Sequence, residues 1–351
     1  MARILYTACG VGFGHGSRAT IVIKELKKKH EVKIVSYDAG HTFLERNFPD
    51  VIEMKWFKLF FAANKVDKPL TFIYNLFYLP FVAINNFFLF RKIIKEFKPD
   101  VIISDFDVNS LYAGKLFGIP VVLVTNMHML RHWKTKLNWW DGLVCKLTDE
   151  IMLDFFINPN HTLIISIYKP DKEARNVDFF GPMVDEEILK LDTKYEDIVV
   201  VYMSTMNFKV FKPILKEIPE IKFKVYGQNY EQVEGNVEVK EFSREKWLKD
   251  MAHCSALICH GGMLTLSEAV ILKKPCYVFA TQNWFERYHN GKMIEMLGFG
   301  MMQENATVKG VRKFLSNRKT YQKNLAEKGP SLSNKKVISR IGKLVEEITK
   351  K

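Results

Sequence analysis

The sequence predicts an α/β protein made of two doubly wound, Rossmann-like halves that face each other across a cleft. Three observations support this fold class. Short apolar runs alternate with segments of helical periodicity from the amino terminus onward. The alternation restarts at about residue 197, after the pair Gly181-Pro182 interrupts it. A chain of 351 residues is also long enough to bury two hydrophobic cores.

The first half begins directly with a β/α/β unit. Strands are predicted over Arg3–Ala8 and Glu31–Ser36, with an amphipathic helix over about residues 16–29 between them. Further strands are predicted at Val101–Ser104 and Val121–Thr125, with a helix between them. Strands that alternate with helices are typical of a parallel sheet, so we predict a first domain over residues 1–180.

The second half repeats this pattern. Its predicted strands, each followed by a helix or a polar loop, are 197–203, 222–226, 237–241, 256–259 and 276–280. We predict a second domain over residues 181–333 and a terminal helical segment over residues 334–351.

Composition restricts the class of partner and the compartment. A net charge of +13 favours an anionic partner, either nucleic acid, nucleotide phosphate or a membrane surface. The lysines and the pair Trp139-Trp140 form no known nucleic-acid-binding module, so no nucleic-acid partner is expected. The five cysteines are widely separated and lack metal-site spacing, and the first residues lack a secretory pattern, which together predict a reduced, cytoplasmic compartment without a metal site.

One apolar segment, within residues 56–98, fits neither half. Residues 69–90 carry no charge and are flanked on both sides by lysines and arginines. The length would cross a bilayer, yet Pro80, Asn75, Asn85 and Asn86 count against a span. Core helices are an alternative, but the basic flanks favour an interfacial surface that meets anionic lipids at the inner face of the cell membrane.

A glycine-rich loop, GVGFGHGSR at residues 10–18, follows the first strand. Gly12, Gly14, Gly16 and Arg18 form a predicted loop for an acceptor or a phosphate, because free N–H groups at a helix start suit anions. The dinucleotide-binding fingerprint G-x-G-x-x-G does not fit in either register of the loop. Asp38, after the second strand, could bind a ribose, so a dehydrogenase remains an alternative.

A histidine and an aspartate are predicted at the same edge of the first sheet. His15 lies in the glycine loop and Asp105 ends the strand that begins at Val101. A carboxylate can fix the tautomer of an imidazole and raise its basicity, so the pair is a candidate general base. The alternative that Asp105-Phe106-Asp107 binds a metal as a D-x-D motif rests on three residues alone.

The most specific stretch is CHGGMLTLSEA at residues 259–269. Two glycines follow a strand and a helix then begins, which leaves N–H groups free for a diphosphate. Glu268 is placed to accept hydrogen bonds from ribose hydroxyls. The polar loop that starts at Gln282, after the next strand, suits sugar hydroxyls.

With these motifs in this order, the chain resembles the GT-B glycosyltransferases over nearly its whole length. The carboxyl-terminal pattern H-G-G-x-x-T-x-x-E-A is the specific part, and Gly118-Ile119-Pro120 and the G-P linker fall in order before it. Within these enzymes it looks most like the branch of the peptidoglycan-precursor N-acetylglucosaminyltransferase and monogalactosyldiacylglycerol synthase, with archaeal relatives.

The resemblance implies a role for each matching residue. His15 would deprotonate or orient the acceptor hydroxyl with support from Asp105, and the terminal helix would pack back on the first domain. The implied donor-binding residues are Ser204, Thr205, Phe242, His260, Gly261, Gly262, Thr265, Glu268, Glu286 and Asn290. Arg287 and Ser204-Thr205 depart from the pattern, which leaves the donor sugar open.

The expected activity is that of an inverting hexosyltransferase. It would move a sugar from a nucleotide-diphosphate sugar, a UDP-sugar in the first instance, to a hydroxyl of a lipid or lipid-linked glycan, with no metal and no cofactor. A sugar-nucleotide epimerase of the same fold and an NAD(P)-dependent dehydrogenase are the alternatives.

Overall fold

The computed structural model describes residues 1–58, 60–62, 65–66, 68–133, 139, 159–170, 174–203, 205–280 and 285–350. Within these residues the chain forms two seven-stranded sheets with helices packed on both faces. The predicted α/β class with two doubly wound sheets is confirmed. Each sheet separates two hydrophobic clusters, one on either face.

The first sheet is parallel throughout and has the order β3-β2-β1-β6-β7-β8-β9. Its strands are β1 (Arg3–Ala8), β2 (Glu31–Ser36), β3 (Val51–Glu53), β6 (Val101–Asp105), β7 (Val121–Thr125), β8 (His161–Ile165) and β9 (Val177–Phe180). A separate two-stranded sheet pairs β4 (Phe61–Ala62) with β5 (Lys65–Val66). The helices of this half are α1 (Phe13–Leu26), α2 (Asp38–Glu45), α3 (Lys68–Phe97), α4 (Val108–Phe117) and α5 (Met129–His132).

The second sheet has the order β12-β13-β11-β10-β14-β15-β16 and is parallel except at β12. Its strands are β10 (Ile198–Tyr202), β11 (Lys222–Gln228), β12 (Gln232–Glu234), β13 (Val237–Glu241), β14 (Ala256–Cys259), β15 (Cys276–Phe279) and β16 (Gly300–Gln303). The helices are α6 (Thr205–Lys216), α7 (Arg244–His253), α8 (Met263–Ile271), α9 (Phe285–Met296), α10 (Val308–Ser316), α11 (Arg318–Lys328) and α12 (Asn334–Thr349).

The terminal helix α12 returns to the first half. Its Val337, Ile341 and Val345 are buried in the same cluster as Ile4 and Val22. These apolar residues recur every four positions, so they form one face of α12 that is covered by α1 and the first sheet. The last segment is therefore part of the first hydrophobic core, although it follows the second sheet in sequence.

The first helix starts earlier than the sequence indicates. The prediction places it over about residues 16–29, whereas α1 begins at Phe13 and ends at Leu26. Gly12 precedes it with φ of 79°, a backbone angle that favours glycine. This turn lets the helix begin inside the glycine loop, so His15 lies on the first turn of a helix and not in a free loop.

The cysteines within the described residues are free and buried, namely Cys9, Cys254, Cys259 and Cys276. Cys145 lies outside the described residues. The buried thiols are ordinary small core side chains, and burial raises the pKa of Cys254 to about 11.

The apolar segment belongs to α3, a single helix that includes Pro80. It is long and apolar enough to cross a membrane by length and composition, and 17% of its most apolar window is buried. Large apolar side chains are exposed along it, including Phe72, Ile73, Leu76, Phe77, Ile84 and Phe88.

Candidate active site

Three parallel strands bring polar side chains to one edge of the first sheet. Ala8 of β1 pairs with Asp105 of β6, and Asp105 pairs with Val124 of β7. Because parallel strands end at the same edge, the glycine loop, Asp105 and Asn126 lie together there. The predicted His15–Asp105 pair is formed at this edge.

His15 and Arg18 both bind the carboxylate of Asp105. The Nδ1 atom of His15 lies 2.7 Å from Oδ1 of Asp105. Arg18 donates from Nε to Oδ2 at 2.9 Å and from Nη2 to Oδ1 at 2.5 Å. The side chain of Asp105 has no exposed area and that of Arg18 is 9% exposed. A buried carboxylate is stable only when such donors satisfy it.

These contacts determine the protonation of Asp105. Burial alone would raise its pKa, but Arg18 and His15 outweigh burial and lower the pKa to about 2. Asp105 is therefore ionised, and an ionised oxygen 2.7 Å from Nδ1 requires a proton on that nitrogen. The lone pair of His15 is then on Nε2, which is the atom that can accept a proton.

The glycine loop also meets the second half of the chain. A Cβ atom built on Gly14 would lie 3.7 Å from Cβ of Leu264, at the start of α8. Gly16 packs against the ring of Phe43, where a Cβ would come within 2.9 Å. Arg18, predicted for this loop as an anion contact, instead points to Asp105. The anion-binding role of Gly12, Gly14 and Gly16 stays a prediction.

The D-x-D motif has another use. Asp107 caps α4, since its carboxylate accepts hydrogen bonds from the backbone N–H groups of Asn109 and Ser110. Phe106 between the aspartates has φ of 54° and stacks on His15 with ring centroids 5.9 Å apart. Within the described residues no group of three or more potential metal ligands occurs.

The loop His260–Gly262 is fixed by contacts with β15 and α9. Nδ1 of His260 lies 3.0 Å from the carbonyl oxygen of Phe279, and Nδ2 of Asn290 donates to the carbonyl of Gly261 at 2.9 Å. Gly261 has φ of 79°, and a Cβ there would come 2.6 Å from the carbonyl oxygen of Arg287. Only glycine fits this turn.

The turn leads into a helix start that suits an anion. Gly262 is the N-cap of α8, and no side chain caps the first N–H groups. No acidic residue lies in the first turn, and the half-buried Thr265 follows there. Burial lowers the pKa of His260 to about 4, so this imidazole is neutral at pH 7. A diphosphate here would be bound by N–H groups and the helix dipole.

Glu268 is buried on the inner side of α8. Trp247 donates from Nε1 to Oε2 at 2.9 Å, and Arg244 forms an ion pair with Oε1. Burial raises the pKa of Glu268, and Arg244 and Trp247 lower it by less. Sequence reasoning missed both partners, which come from α7.

A nearby aromatic cluster includes the residue predicted to face the nucleobase. Phe242 is half exposed, with its ring centroid 6.3 Å from that of Trp247 and 6.4 Å from that of Tyr226. An exposed ring beside a buried carboxylate is suited to a flat base next to a ribose.

Two predicted donor residues occupy the face of α9 toward the site. Asn290 holds the loop at Gly261, and Glu286 accepts a hydrogen bond from Nδ2 of Asn126 at 2.7 Å. Asn126 follows β7 of the first sheet, so this bond joins the two halves directly. Thr205 begins α6, whereas Ser204 and Gln282 lie outside the described residues.

Sequence comparison assigns the chain to a known group of proteins. The profile of glycosyl transferase family 1 matches residues 2–318. An uncharacterized glycosyltransferase of Methanosarcina acetivorans is 23% identical over 338 residues, which is 87% of this chain and 86% of the relative. One from Methanosarcina mazei is 24% identical over 331 residues, with the same coverage of 87% and 86%.

Structural comparison confirms the predicted GT-B fold. The glycotransferase of kitacinnamycin has a TM-score of 0.65 at 15% identity, covering 99% of both chains. MurG of Acinetobacter baumannii has a TM-score of 0.63 at 14% identity, covering 98% of this chain and 100% of its own. Phytolacca americana UGT2, complexed with UDP-2fluoro-glucose and pterostilbene, has a TM-score of 0.64 at 11% identity and covers 99% and 100%.

Proposed function

Since this chain belongs to glycosyl transferase family 1 and is a glycosyltransferase of the GT-B type, we propose that it transfers a sugar from a UDP-sugar to a lipid hydroxyl. The observation that carries the proposal is the pairing of two features across the cleft. One is a histidine base with a free Nε2, and the other is the uncapped start of α8.

The donor is proposed to lie along α8. The first N–H groups of α8, with Thr265, bind the diphosphate, and Glu268 binds the ribose beside Phe242. The neutral His260 uses its Nδ1–H on the carbonyl of Phe279, so its role at the donor is to hold the turn that leads into α8. Uridine is the proposed base, and the neighbour solved with UDP-2fluoro-glucose supports this choice. Glu286 and Asn290 on α9 face the sugar.

The proposed reaction is a single in-line displacement. Nε2 of His15 takes the proton of the acceptor hydroxyl while its oxygen attacks the anomeric carbon, and the nucleoside diphosphate leaves with the electron pair of the broken bond. The helix dipole of α8 stabilises the departing charge. A displacement of this kind inverts the configuration at the anomeric carbon.

The acceptor is proposed to come from a membrane. Asn75 and Asn86 are buried and turn toward residues 55–58, which form a strap along α3. Each amide binds both the N–H and the carbonyl of one strap residue, Lys58 for Asn75 and Lys55 for Asn86. The buried amides of Asn75 and Asn86 are thus paired with the strap, and large apolar side chains occupy the exposed face of α3.

The strap also supplies positive charge beside that face. The ammonium of Lys55 lies 4.4 Å from the ring centroid of Phe81, and that of Lys58 lies 5.5 Å from that of Tyr78. Apolar side chains with lysines at their rim suit a helix lying in the plane of an anionic bilayer. We place the enzyme at the cytoplasmic face of the cell membrane, in accord with its buried free thiols. The branch with MurG-like and galactolipid-forming enzymes is the proposed subfamily.

The donor is tested by calorimetric titration of wild type with a panel of UDP-, GDP- and TDP-sugars. We expect one UDP-sugar to bind and the substitution Glu268→Gln to weaken it about tenfold or more, because hydrogen bonds to a charged group contribute about 1.5–3 kcal/mol. The matched control is Glu231→Gln, an exposed carboxylate of the same half. Binding of NAD(P) with no binding of any nucleotide sugar would replace the proposal with a dehydrogenase.

The membrane is tested by co-sedimentation with vesicles. Wild type is expected to bind vesicles that contain anionic lipid at low salt, and Phe77→Ser to reduce this binding by about tenfold, since a buried phenylalanine contributes about 1.5–3 kcal/mol. The control is Val233→Ser, because Val233 is similarly exposed, 72% against 75% for Phe77, on the second half. Equal binding of all three proteins would refute the assigned surface.

A further inference from the structure

We propose that Arg18 is a positioning residue of the transfer reaction, which locks Asp105 so that His15 keeps its proton on Nδ1 and offers Nε2 to the acceptor. This inference rests on the proposed function for its catalytic meaning. The sequence indicated Arg18 only as a possible anion contact of the glycine loop. Its guanidinium is directed instead at the carboxylate beneath the base.

The hydrogen-bond acceptors of Asp105 are fully used. Oδ1 accepts from His15 and from Nη2 of Arg18, and Oδ2 accepts from Nε of Arg18. The hydroxyl of Tyr6 lies 3.4 Å from Oδ2 on the remaining side. The fork of Arg18 contacts both oxygens, so the carboxylate cannot rotate about its Cβ–Cγ bond without breaking a charge-assisted pair.

A fixed carboxylate selects one tautomer of the ring. Nη2 of Arg18 lies 3.1 Å from Nδ1 of His15, and both nitrogens point at the same oxygen, Oδ1. If Asp105 turned away, Nδ1 could instead accept a hydrogen bond from Arg18, and the proton would move to Nε2. The ring would then present a donor to the acceptor hydroxyl and could not deprotonate it. The fork prevents this alternative.

The charge of Arg18 balances that of Asp105. The fork pairs the carboxylate with the guanidinium, so the two buried side chains together carry no net charge. Oδ1 still accepts from Nδ1 of His15, so it stabilises the imidazolium formed during transfer.

Four further ionisable side chains near the pair come from β1 and from the residues that follow β1, β6 and β7. Burial raises the pKa of Tyr6, on β1, well above its usual range and that of Cys9, directly after β1, to about 11. Burial raises the pKa of Asp107, which caps α4, and lowers that of His128 to about 3. From the second half, the apolar Leu264 lies next to the loop at Gly14.

The same three residue types meet elsewhere and provide a matched control. Nε2 of His161 lies 2.7 Å from Oδ2 of Asp178, and Arg340 donates from Nε to the same oxygen at 2.7 Å. His161 is the first residue of β8, so this cluster lies at the amino end of the strands, opposite the candidate site. Its carboxylate is about one-third exposed and receives a single nitrogen of the arginine.

The test needs no substrate for its first arm. The tautomer of His15 is followed by NMR with 15N-labelled histidine, and His15→Ala identifies its signals among the nine histidines. Wild type is expected to carry its proton on Nδ1. Arg18→Lys keeps the charge but loses the fork, so we expect a mixture of tautomers. Arg18→Gln loses both the charge and the fork, so we expect a mixture of tautomers in this variant as well.

The second arm measures transfer with the donor and acceptor found for wild type. Arg18→Lys is expected to lower kcat about tenfold or more with the KM of the donor unchanged, because misorientation of the base affects only the chemical step. Arg340→Lys is expected to change neither the His15 signals nor kcat.

The wild-type tautomer in both Arg18→Lys and Arg18→Gln would overturn the assignment. If Arg18→Gln fails to fold, the tautomer in Arg18→Lys decides alone. A wild type that transfers no sugar while the NMR changes occur would refute the proposed function and leave the positioning role intact.

Discussion

The two halves of the molecule each bury a carboxylate at the cleft, with opposite consequences for its charge. Asp105 receives a two-pronged arginine and a histidine, and its pKa falls to about 2. Glu268 receives one neutral donor, Trp247, and a partly exposed arginine, Arg244, and its pKa is raised. Both carboxylates are buried, so the number and geometry of the charged donors make the difference.

This difference matches the two proposed tasks. A carboxylate that supports a base must stay ionised throughout the pH range of the enzyme, as Asp105 does. A carboxylate that binds a ribose gains hydrogen-bond donors from the ligand, so the proposed role of Glu268 requires no further charged donor from the protein. The comparison can be tested at each of the two carboxylates.

Asp105→Asn should give the largest effect. The amide leaves the tautomer of His15 unspecified and the buried charge of Arg18 unpaired, so we expect kcat to fall about 10³–10⁴-fold. The KM of the donor should change little. Steady-state kinetics with Asp178→Asn as the matched control check this, since Asp178 also binds a histidine and an arginine. A similar loss in both variants would point to general destabilisation.

The free energy of unfolding should change in opposite directions at the two sites. At pH 7 Asp105→Asn is expected to lose about 3–5 kcal/mol, because it leaves the guanidinium of Arg18 buried without a counterion. Glu268→Gln is expected to gain roughly 1 kcal/mol, since a neutral amide avoids the burial of charge. Denaturant unfolding monitored by circular dichroism measures both. A loss of stability in Glu268→Gln would contradict the claim that the buried charge of Glu268 destabilises the folded protein.

The pH dependence of the free energy of unfolding should also have opposite signs at Asp105 and Glu268. The pKa of Asp105 is about 2 when folded, so its stabilisation of about 2 kcal/mol is present above pH 4 and is lost as the pH falls toward 2. The pKa of Glu268 is raised, so its contribution is present below the unfolded value and is lost as the pH rises through the folded one.

Each contribution is isolated by unfolding the wild type and the matching amide variant across the pH range. The difference between wild type and Asp105→Asn should shrink on acidification from pH 5 to pH 2. The advantage of Glu268→Gln should instead grow as the pH rises from 4. Parallel curves for either pair would show that the carboxyl concerned does not titrate differently in the folded state.

The smallest effect is expected from removing the neutral donor of Glu268. Trp247→Phe keeps most of the aromatic packing against Tyr226 but removes the Nε1–H, so about 1 kcal/mol of stability should be lost. Thermal melts measure this loss. Trp56→Phe is the control in the first half, and a loss no larger than in this control would mean that the hydrogen bond contributes nothing.

Much of the fold could be predicted from the sequence, because buried parallel strands such as β6 and β14 are continuous apolar runs. The His15–Asp105 pair followed from the same logic, since both residues end up at the carboxyl edge of one sheet. The proximity of Arg18 to this pair could also have been predicted, because Arg18 lies one helical turn after His15 if α1 starts at Phe13.

The partners of Glu268 and Glu286 could not be predicted in the same way. Arg244, Trp247 and Asn126 come from other elements, and the sequence contains no periodicity that relates α7 to α8 or β7 to α9. Such contacts depend on how helices pack over the sheets and on how the two halves meet. The buried face of α3 could not be predicted for the same reason. In the sequence Asn75 and Asn86 only interrupt an apolar run, whereas in the structure they bind the strap.

The most direct test of the central claim is transfer of labelled sugar from the identified donor to a lipid extract, comparing His15→Ala with His161→Ala. Both histidines bind an aspartate that also binds an arginine, but only His15 lies at the proposed site. We predict that His15→Ala lowers the rate about 10²–10⁴-fold and that His161→Ala transfers at close to the wild-type rate. Transfer by His15→Ala at the wild-type rate would contradict the assignment of His15 as the base.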